Sequence, residues 1–143
     1  MKKIVIALSG PPGSGASTIG KLLVRRLELK YFSPGKYFKK LSKEKNETKA
    51  ALSYLQTKVG RSKELHDYID NLQIKKAKKG DIVLEGTLSI HFLKNLADYK
   101  IWIDASIEKR AERTSKRDKL PMKEAIKKIK KREYIERQTW KKL

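Results

Sequence analysis

The residues with the clearest chemical potential form a glycine-rich loop near the start of the chain. The stretch Gly10-Pro-Pro-Gly-Ser-Gly-Ala-Ser17 follows the apolar run Ile4–Leu8 and precedes a segment with helical spacing. It matches the phosphate-loop pattern G-x-x-x-x-G-K-[ST] at every fixed position except one. Glycines let backbone N–H groups converge on an anion, and the N-terminus of the following helix adds positive potential. The loop therefore predicts a site for the phosphates of a nucleotide.

Ala16 stands where this pattern has a lysine. That lysine stabilises charge on a transferred phosphoryl group, and a preorganised donor of this kind contributes about 3–4 kcal/mol. Its loss predicts turnover that is slower by a factor on the order of a hundred to a thousand. An introduced inactivating substitution and a natural loss would both leave alanine here. The residues predicted to hold nucleotide are Gly10, Gly13, Ser14, Gly15, Ala16, Ser17 and Thr18.

Length and composition limit what the chain can be. Its 143 residues favour one domain, and the absence of cysteine excludes disulfides, zinc–thiolate sites and thiol nucleophiles. The 36 Lys and Arg against 16 Asp and Glu leave a net charge of +20, which predicts a polyanionic partner. No apolar run is long enough for a signal peptide or a membrane span, so we expect a cytoplasmic protein without a membrane partner.

Apolar runs alternate with helical segments along the chain. The predicted strands are Ile4–Leu8, Tyr31–Phe32, Ile82–Leu84 and Lys100–Ile103. The predicted helices cover 17–29, 36–45, 47–58, 62–79, 89–96, 107–117 and 121–141. Strands that alternate with helices predict a parallel sheet with helices on both faces.

Five blocks give the chain a family resemblance. They are Ser9–Thr18, Phe32–Gly35, Asp81–Gly86, Ile101–Ala105 and Arg110–Arg113. In these blocks the chain resembles the archaeal-type cytidylate kinases, a group of nucleoside monophosphate kinases. The resemblance implies a three-layer α/β P-loop domain with about four parallel strands and a helical lid. One domain would span 1–143, with a core at 1–104 and a basic lid at 105–143.

The resemblance also implies roles for individual residues. It implies ATP-dependent phosphorylation of CMP or dCMP, with Mg²⁺ bound alongside ATP at Ser17 and Glu85 if nucleotide binding is retained. The implied acceptor-binding residues are Ser33, Gly35 and Asp70. The implied catalytic residues of the lid are Arg113, Arg117 and Arg132, with Arg110 one turn before the first of them.

Several positions depart from the family pattern. Thr87 replaces an arginine that would clamp the acceptor phosphate, and a hydroxyl supplies neither its charge nor its bidentate geometry. Asn71 and Leu72 replace a pair of arginines, and Thr139 replaces another in the lid. The sequence also stops before the family's last strand and helix, so we expect a sheet edge that a partner chain completes. Together these departures predict a degraded catalytic site.

The last quarter of the sequence carries much of the positive charge. Residues 109–142 contain fifteen Lys or Arg and five Asp or Glu, a net charge of +10. Met122, Ile126 and Ile129 predict a narrow apolar stripe on a helix whose remaining surface is cationic. Such a surface fits a phosphate backbone, although a solvated helix face is the alternative. The residues predicted to bind RNA are Lys123, Lys127, Lys128, Lys130, Lys131, Arg132, Arg137 and Lys141.

Three functions remain after these observations. The favoured one is a cytidylate-kinase-like protein with a degraded catalytic site that binds RNA, in a ribosome or another ribonucleoprotein. The second is a working ATP-dependent (d)CMP kinase in which Lys21 or a lid arginine replaces the missing lysine, or else an inactivated form of such a kinase. The third is a scaffold that binds ATP or CMP without turnover. The excess of lysine favours the first, and the intact glycines with Ser17 favour the second.

Overall fold

The computed structural model describes residues 2–42 and 63–141. The strands are β1 (Val5–Ser9), β2 (Lys30–Phe32), β3 (Ile82–Glu85) and β4 (Tyr99–Trp102). The helices are α1 (Ala16–Leu27), α2 (Pro34–Ser42), α3 (Lys63–Lys79), α4 (Ser89–Phe92), α5 (Ile107–Asp118) and α6 (Met122–Trp140). The helix predicted at 47–58 lies outside the described residues.

The four strands form one parallel sheet in the order β2-β3-β1-β4. Leu8 of β1 pairs with Glu85 of β3, and Ser9 pairs with Trp102 of β4. The carboxyl ends of parallel strands meet at one edge of a sheet, so the loop after β1 starts beside Glu85. The predicted four-stranded parallel sheet is confirmed, with strand ends that differ by about one residue from the predicted ones.

The described residues group into two compact units. The first unit comprises the described residues within Met1–Pro11, Gly15–Pro34 and Asp67–Asp104, and the second those within Pro12–Ser14, Gly35–His66 and Ala105–Leu143. The expected single domain, with a core at 1–104 and a lid at 105–143, stays a prediction. In the part of the chain that the structure describes, no helix has the length and apolarity that crossing a membrane requires.

Apolar side chains on both faces of the sheet build the first unit. Strand side chains alternate between the faces, so Ile6, Leu8 and Val83 pack with residues of α1, including Leu23 and Val24. The opposite face packs against α3 and the segment around α4, through a cluster of Val5, Ala7, Ala77, Ile82, Leu84 and Leu93. Burial on both faces explains why these strands read as uninterrupted apolar runs.

A buried serine fixes the carboxyl end of β1. The Ser9 hydroxyl donates to the Gly86 carbonyl oxygen at 2.6 Å and accepts from the Ile90 N–H at 3.1 Å. It thereby joins β1 to the turn after β3 and to the start of α4. The predicted helix at 89–96 was wrong beyond Phe92, because Leu93 leaves the helical conformation and turns follow it.

In the second unit α5 and α6 pack through small side chains. Ala111, Ala125 and Ile129 are buried together, and Ile126 packs against them. Met122 was wrongly placed in the apolar stripe, because it is 42% exposed. Met122 is the first residue of α6, and helical side chains lean toward the N-terminus, so its side chain points past the contact with α5.

Substitution of two residues on α6 tests this contact. Ile129→Ala should lower the free energy of unfolding by about 2–5 kcal/mol, because it leaves a cavity between α5 and α6. Met122→Ala is the matched control, and its effect should stay within about 0.5 kcal/mol because the site is exposed. Urea denaturation measures both. Equal decreases in the free energy of unfolding of the two variants would show that the contact between α5 and α6 has been assigned to the wrong residues.

Candidate functional site

The loop between β1 and α1 adopts backbone conformations that only glycine takes easily. Gly13 and Gly15 have φ angles of 79° and 95°, in the left-handed region. Gly15 is followed directly by α1, whose first turn contains no acidic residue to compete for its free N–H groups. Ala16 is buried, so a methyl group rather than a cation lies at the start of the helix.

Two arginines of α5 hold the middle of this loop, Pro12–Ser14, within the second unit. Arg113 Nη1 donates to the carbonyl oxygens of Gly13 and Ser14, at 3.2 and 2.9 Å. Arg110 Nη1 donates to the Pro12 carbonyl at 3.4 Å. A Cβ atom on Gly13 would lie 2.7 Å from the Arg110 carbonyl oxygen, so this close approach also requires glycine.

This contact determines which side of the loop an anion can approach. In a trans peptide the C=O and N–H groups point in opposite directions, and no described peptide bond is cis. The N–H groups that share peptide planes with the Gly13 and Ser14 carbonyls therefore point away from Arg113. That arrangement suits the loop to an anion on the side opposite α5.

In the first unit a tyrosine connects two of the predicted site residues. The Tyr31 hydroxyl donates to Glu85 Oε2 at 2.8 Å and lies 3.4 Å from Ser17 Oγ. Burial of the phenol, followed by the negative charge of Glu85, raises the pKa of Tyr31 far above its ordinary value, so it stays protonated.

Ser17 and Glu85 are chemically suited to Mg²⁺. Both offer hard oxygen donors, and Mg²⁺ is commonly held by one or two such protein ligands together with phosphate oxygens and water. The described residues contain no group of three or more His, Cys, Asp or Glu that could hold a metal ion by themselves. A cation at Ser17 and Glu85 would therefore depend on the phosphates of a nucleotide.

The acceptor-side residues are divided between the two units. Ser33 and Asp70 belong to the first unit, whereas Gly35 belongs to the second. Gln73 Nε2 donates to Asp70 Oδ1 at 3.4 Å, and the buried Ser89 hydroxyl donates to Gln73 Oε1 at 2.7 Å. Burial and the neighbouring Asp67 raise the pKa of Asp70 to about 6.

Each arginine predicted to act in the lid has a partner inside the protein. Arg113 bonds the loop carbonyls, and Arg117 Nε donates to Asp118 Oδ1 at 2.8 Å. Arg132 Nε donates to Glu136 Oε1 at 2.8 Å. Arg110, which precedes them, pairs with Glu133. These guanidinium groups are therefore engaged with the loop, with a neighbouring acid on their own helix or, for Arg110, with α6.

The positions where the family pattern is lost have different surroundings. Thr87 lies in the turn after β3 and is partly buried, while Asn71 on α3 is exposed and Leu72 beside it is partly buried. The side chain of Thr139 lies outside what the structure describes. None of these described side chains supplies a cation.

Most residues predicted to bind RNA lie on one exposed face. Lys123, Lys127, Lys130, Lys131, Arg137 and Lys141 are exposed. Lys128 is partly buried, and the Arg132 side chain is only 17% exposed because it pairs with Glu136. Arg132 therefore does not belong to the exposed face.

Sequence reasoning missed three residues of the site: Tyr31, Gln73 and Ser89. One signal pointed to Tyr31. Gly20 lies inside α1, one turn after Ser17. Glycine weakens the interior of a helix, so its presence there indicates that another residue approaches closely. A Cβ atom at Gly20 would lie 3.0 Å from Tyr31 Cε2. The contact of Gln73 with Ser89 left no comparable pattern in the sequence.

A family model described as an AAA domain matches residues 6–141. The cytidylate kinase of Pyrococcus horikoshii is 38% identical over 138 residues, covering 96% of this chain and 70% of the relative. That of Sulfurisphaera tokodaii is 38% identical over 132 residues, covering 91% of this chain and 71% of the relative. That of Methanocaldococcus jannaschii is 34% identical over 143 residues, covering 98% and 79%.

Solved structures share the fold at low sequence identity. Shikimate kinase from Bacteroides thetaiotaomicron superimposes with a TM-score of 0.64 at 14% identity, covering 99% of this chain and 83% of that one. Shikimate kinase from Acinetobacter baumannii gives 0.63 at 18% identity, covering 99% and 80%. The predicted family resemblance and the predicted α/β fold of the nucleoside monophosphate kinase type are confirmed.

The raised pKa of Asp70 predicts a pH-dependent stability. The folded protein binds this proton more tightly than the unfolded chain, so ionisation of Asp70 destabilises the fold as pH rises from about 4 to about 6. Asp70→Asn should therefore stabilise the protein at pH 7 and change it little at pH 4. Urea denaturation at the two pH values measures the difference.

Asp98→Asn is the control of opposite sign. The hydrogen bonds from Lys2 and from the Val5 N–H lower the pKa of Asp98, so its contribution to stability is present at neutral pH and is lost as pH falls. This variant should be less stable than the unaltered protein at pH 7, with a smaller difference at pH 4. If Asp70→Asn behaved the same way, the environment assigned to Asp70 would be wrong.

Proposed function

Because the chain belongs to the cytidylate kinase family, we propose that it binds a nucleoside triphosphate on the loop before α1 and transfers phosphate to CMP only slowly. The observation that supports this proposal best is the position of the basic side chains around the loop. The loop has the backbone for holding phosphates, but the basic side chains that would stabilise a transferring phosphoryl group are replaced or engaged elsewhere.

Backbone geometry supports nucleotide binding. The left-handed glycines and the carbonyls held by Arg110 and Arg113 leave N–H groups facing an anion. Ser17 and Glu85 would hold Mg²⁺ together with the phosphates. When bound, Mg²⁺ would neutralise part of the charge of the phosphates. None of these features needs a lysine side chain.

The side chains around the loop argue for slow transfer. Lys21 does not substitute for the lysine missing at position 16, because five residues along a helix rotate it by about 140° from Ala16. Arg113 is the lid residue that best supports the alternative of a working kinase, since its guanidinium already touches the loop. Its Nη1 is shared between two loop carbonyls, however, so moving onto a phosphate would cost those bonds.

The acceptor side has lost cations as well. In the family resemblance an arginine stands at Thr87 and a pair of arginines at Asn71 and Leu72. A bidentate arginine supplies charge and orientation that neither a hydroxyl nor an amide replaces. Loss on both sides of the reacting phosphates explains why one restored lysine would not suffice.

Steady-state assays of four forms of this chain, and of the Pyrococcus horikoshii relative, test this proposal. We expect ADP formation from Mg·ATP and CMP to be about 100–1000-fold slower for the unaltered chain than for the Pyrococcus horikoshii relative. Ala16→Lys or Thr87→Arg alone should recover about tenfold or less, and the double variant should recover more than either. Nucleotide binding, measured by calorimetry, should be saturable in all four.

The outcomes separate the competing functions. Turnover of the unaltered chain near that of the relative would contradict the proposal and support a working kinase. Full recovery of turnover by Ala16→Lys alone would show that the missing loop lysine is the sole cause of the slow reaction. Saturable ATP or CMP binding with no ADP in any variant would identify a nucleotide-binding scaffold.

A second proposed function is RNA binding through one face of α6. We define the outward face of α6 as the exposed residues Lys123, Lys127, Lys130, Lys131, Tyr134 and Arg137. Their spacing of three or four residues places them along one side of the helix, over a length of about 21 Å. That length faces several phosphates of a nucleic-acid strand.

Ion pairing inside the second unit removes two of the three acids of α6 from this face, and the third, Glu124, is exposed in the first turn of the helix. Glu133 pairs with Arg110, and the buried Glu136 pairs with Arg132, so both acids point away from solvent. Tyr134 is 66% exposed and lies in the middle of the row, where its ring can stack on an unpaired base. Lysine-rich contacts of this kind read the phosphate backbone with little sequence specificity, as binding to structured RNA in a ribonucleoprotein would require.

Two triple variants of equal charge test this surface. Lys127, Lys130 and Lys131, all changed to Gln, should weaken binding to a fluorescein-labelled RNA hairpin at least about tenfold and reduce the salt slope by about 2–3. The matched control changes the exposed Lys75, Lys78 and Lys79 of α3 to Gln and should have a much smaller effect. Fluorescence anisotropy over a series of salt concentrations gives both quantities.

Equal losses in the two triple variants would show that overall charge, and not this face, attracts RNA. No binding by the unaltered protein at low salt would contradict the RNA function altogether. The protein must be freed of nucleic acid before either measurement, since bound RNA would occupy the surface.

A further inference from the structure

The Tyr31 hydroxyl contacts two residues at the carboxyl edge of the sheet, Ser17 and Glu85. A phenol carries one proton and accepts up to two hydrogen bonds. Its proton goes to Glu85 Oε2 at 2.8 Å, so Ser17 acts as the donor to its oxygen. The tyrosine therefore joins the loop serine and the end of β3 in one network within the first unit.

We infer that Tyr31 is a positioning residue for a Mg²⁺–nucleotide complex, an inference that rests on the proposed nucleotide binding. A serine hydroxyl that ligates a metal must turn a lone pair toward it and give its proton to another acceptor. Tyr31 is that acceptor for Ser17. The same phenol donates to one oxygen of Glu85 and leaves the other carboxylate oxygen for a water bound to the metal.

The packing of the ring explains how the phenol reaches this point. Ser17 and Gly20 are three residues apart and lie on the same side of α1. Because Gly20 has no Cβ atom, the Tyr31 ring can approach that side of the helix closely. A phenylalanine at position 31 would retain this contact, so removing the hydroxyl should leave the fold intact.

The separation of 3.4 Å between Ser17 Oγ and the Tyr31 oxygen is long for a pair of hydroxyls. Coordination to a divalent cation withdraws electron density from the serine oxygen and makes its proton a stronger donor. We therefore expect this bond to shorten when the metal is present. Removing the Tyr31 hydroxyl should then lower the affinity for the metal more than it lowers the free energy of unfolding.

Tyr31→Phe tests the inference through metal affinity, without relying on turnover. Electron paramagnetic resonance of Mn²⁺ measures how tightly the protein–ADP complex holds the metal. Loss of a residue that orients a metal ligand typically weakens metal binding about 10–100-fold, and we expect a decrease in that range. The affinity for ADP in EDTA should stay unchanged, because the loop N–H groups are untouched. Tyr99→Phe, an exposed tyrosine of β4, is the matched control and should bind Mn²⁺ like the unaltered protein.

A double-mutant cycle separates positioning from a structural role. Because Tyr31 acts on the metal partly through Ser17, Ser17→Ala with Tyr31→Phe should weaken Mn²⁺ binding by less than the product of the two single fold-changes. The inference would be overturned if the decreases in Mn²⁺ affinity of the two single variants multiplied in the double variant. A Tyr31→Phe variant that binds Mn²⁺ normally would also overturn it. The inference would also be overturned if Tyr31→Phe lowered the affinity for ADP in EDTA by as large a factor as the affinity for Mn²⁺. Failure of the unaltered protein to bind any nucleotide would contradict the proposed function and this inference together.

Discussion

A loop can enclose an anion only when its peptide N–H groups converge and its carbonyl groups are held on the other side. Here the guanidinium groups of Arg110 and Arg113 hold three consecutive carbonyls, those of Pro12, Gly13 and Ser14. The missing Cβ atom at Gly13 lets α5 approach the loop closely enough for these bonds. The loop is therefore preorganised by its backbone and by α5, without a lysine of its own.

Holding a phosphate and transferring it make different demands on a protein. Holding needs fixed donors, which the backbone supplies, whereas transfer needs cations aimed at charge that develops during the reaction. In this chain the arginines of α5 and α6 pair with Glu133 and Glu136 or with the loop itself. A side chain that keeps these bonds cannot also move freely onto a substrate. Binding and turnover are therefore expected to be affected to different degrees by the loss at Ala16.

Much of the fold could be predicted from local patterns. The run Ile4–Leu8 reads as a buried strand because both faces of β1 are covered, and the glycines after it can only form a tight turn. The parallel sheet follows from the alternation of strands and helices. Met122 was misplaced because helical periodicity does not say where the contact with a neighbouring helix ends. The helix at 89–96 was overextended because its stop at Leu93 carries neither glycine nor proline.

The site was less predictable because its key contacts join residues far apart in sequence. Tyr31 reads as an apolar strand residue, and its bond to Glu85 spans 54 positions. Arg132 reads as one more cation in a basic helix, and only the fold shows that it is turned inward toward Glu136. A pattern can indicate which residue types are present near the loop, but not which of them are already occupied.

The inward pairing of Glu133 and Glu136 also has a kinetic consequence. Acids beside the lysines of the outward face would weaken its field close to the surface, but Glu133 and Glu136 pair with Arg110 and Arg132, and of the three acids of α6 only Glu124 is exposed beside these lysines. The remaining field extends into solvent over a distance set by screening, about 8 Å at physiological ionic strength. An approaching polyanion would therefore be drawn toward α6 before any contact forms, and the rate of encounter would rise more than the lifetime of the complex.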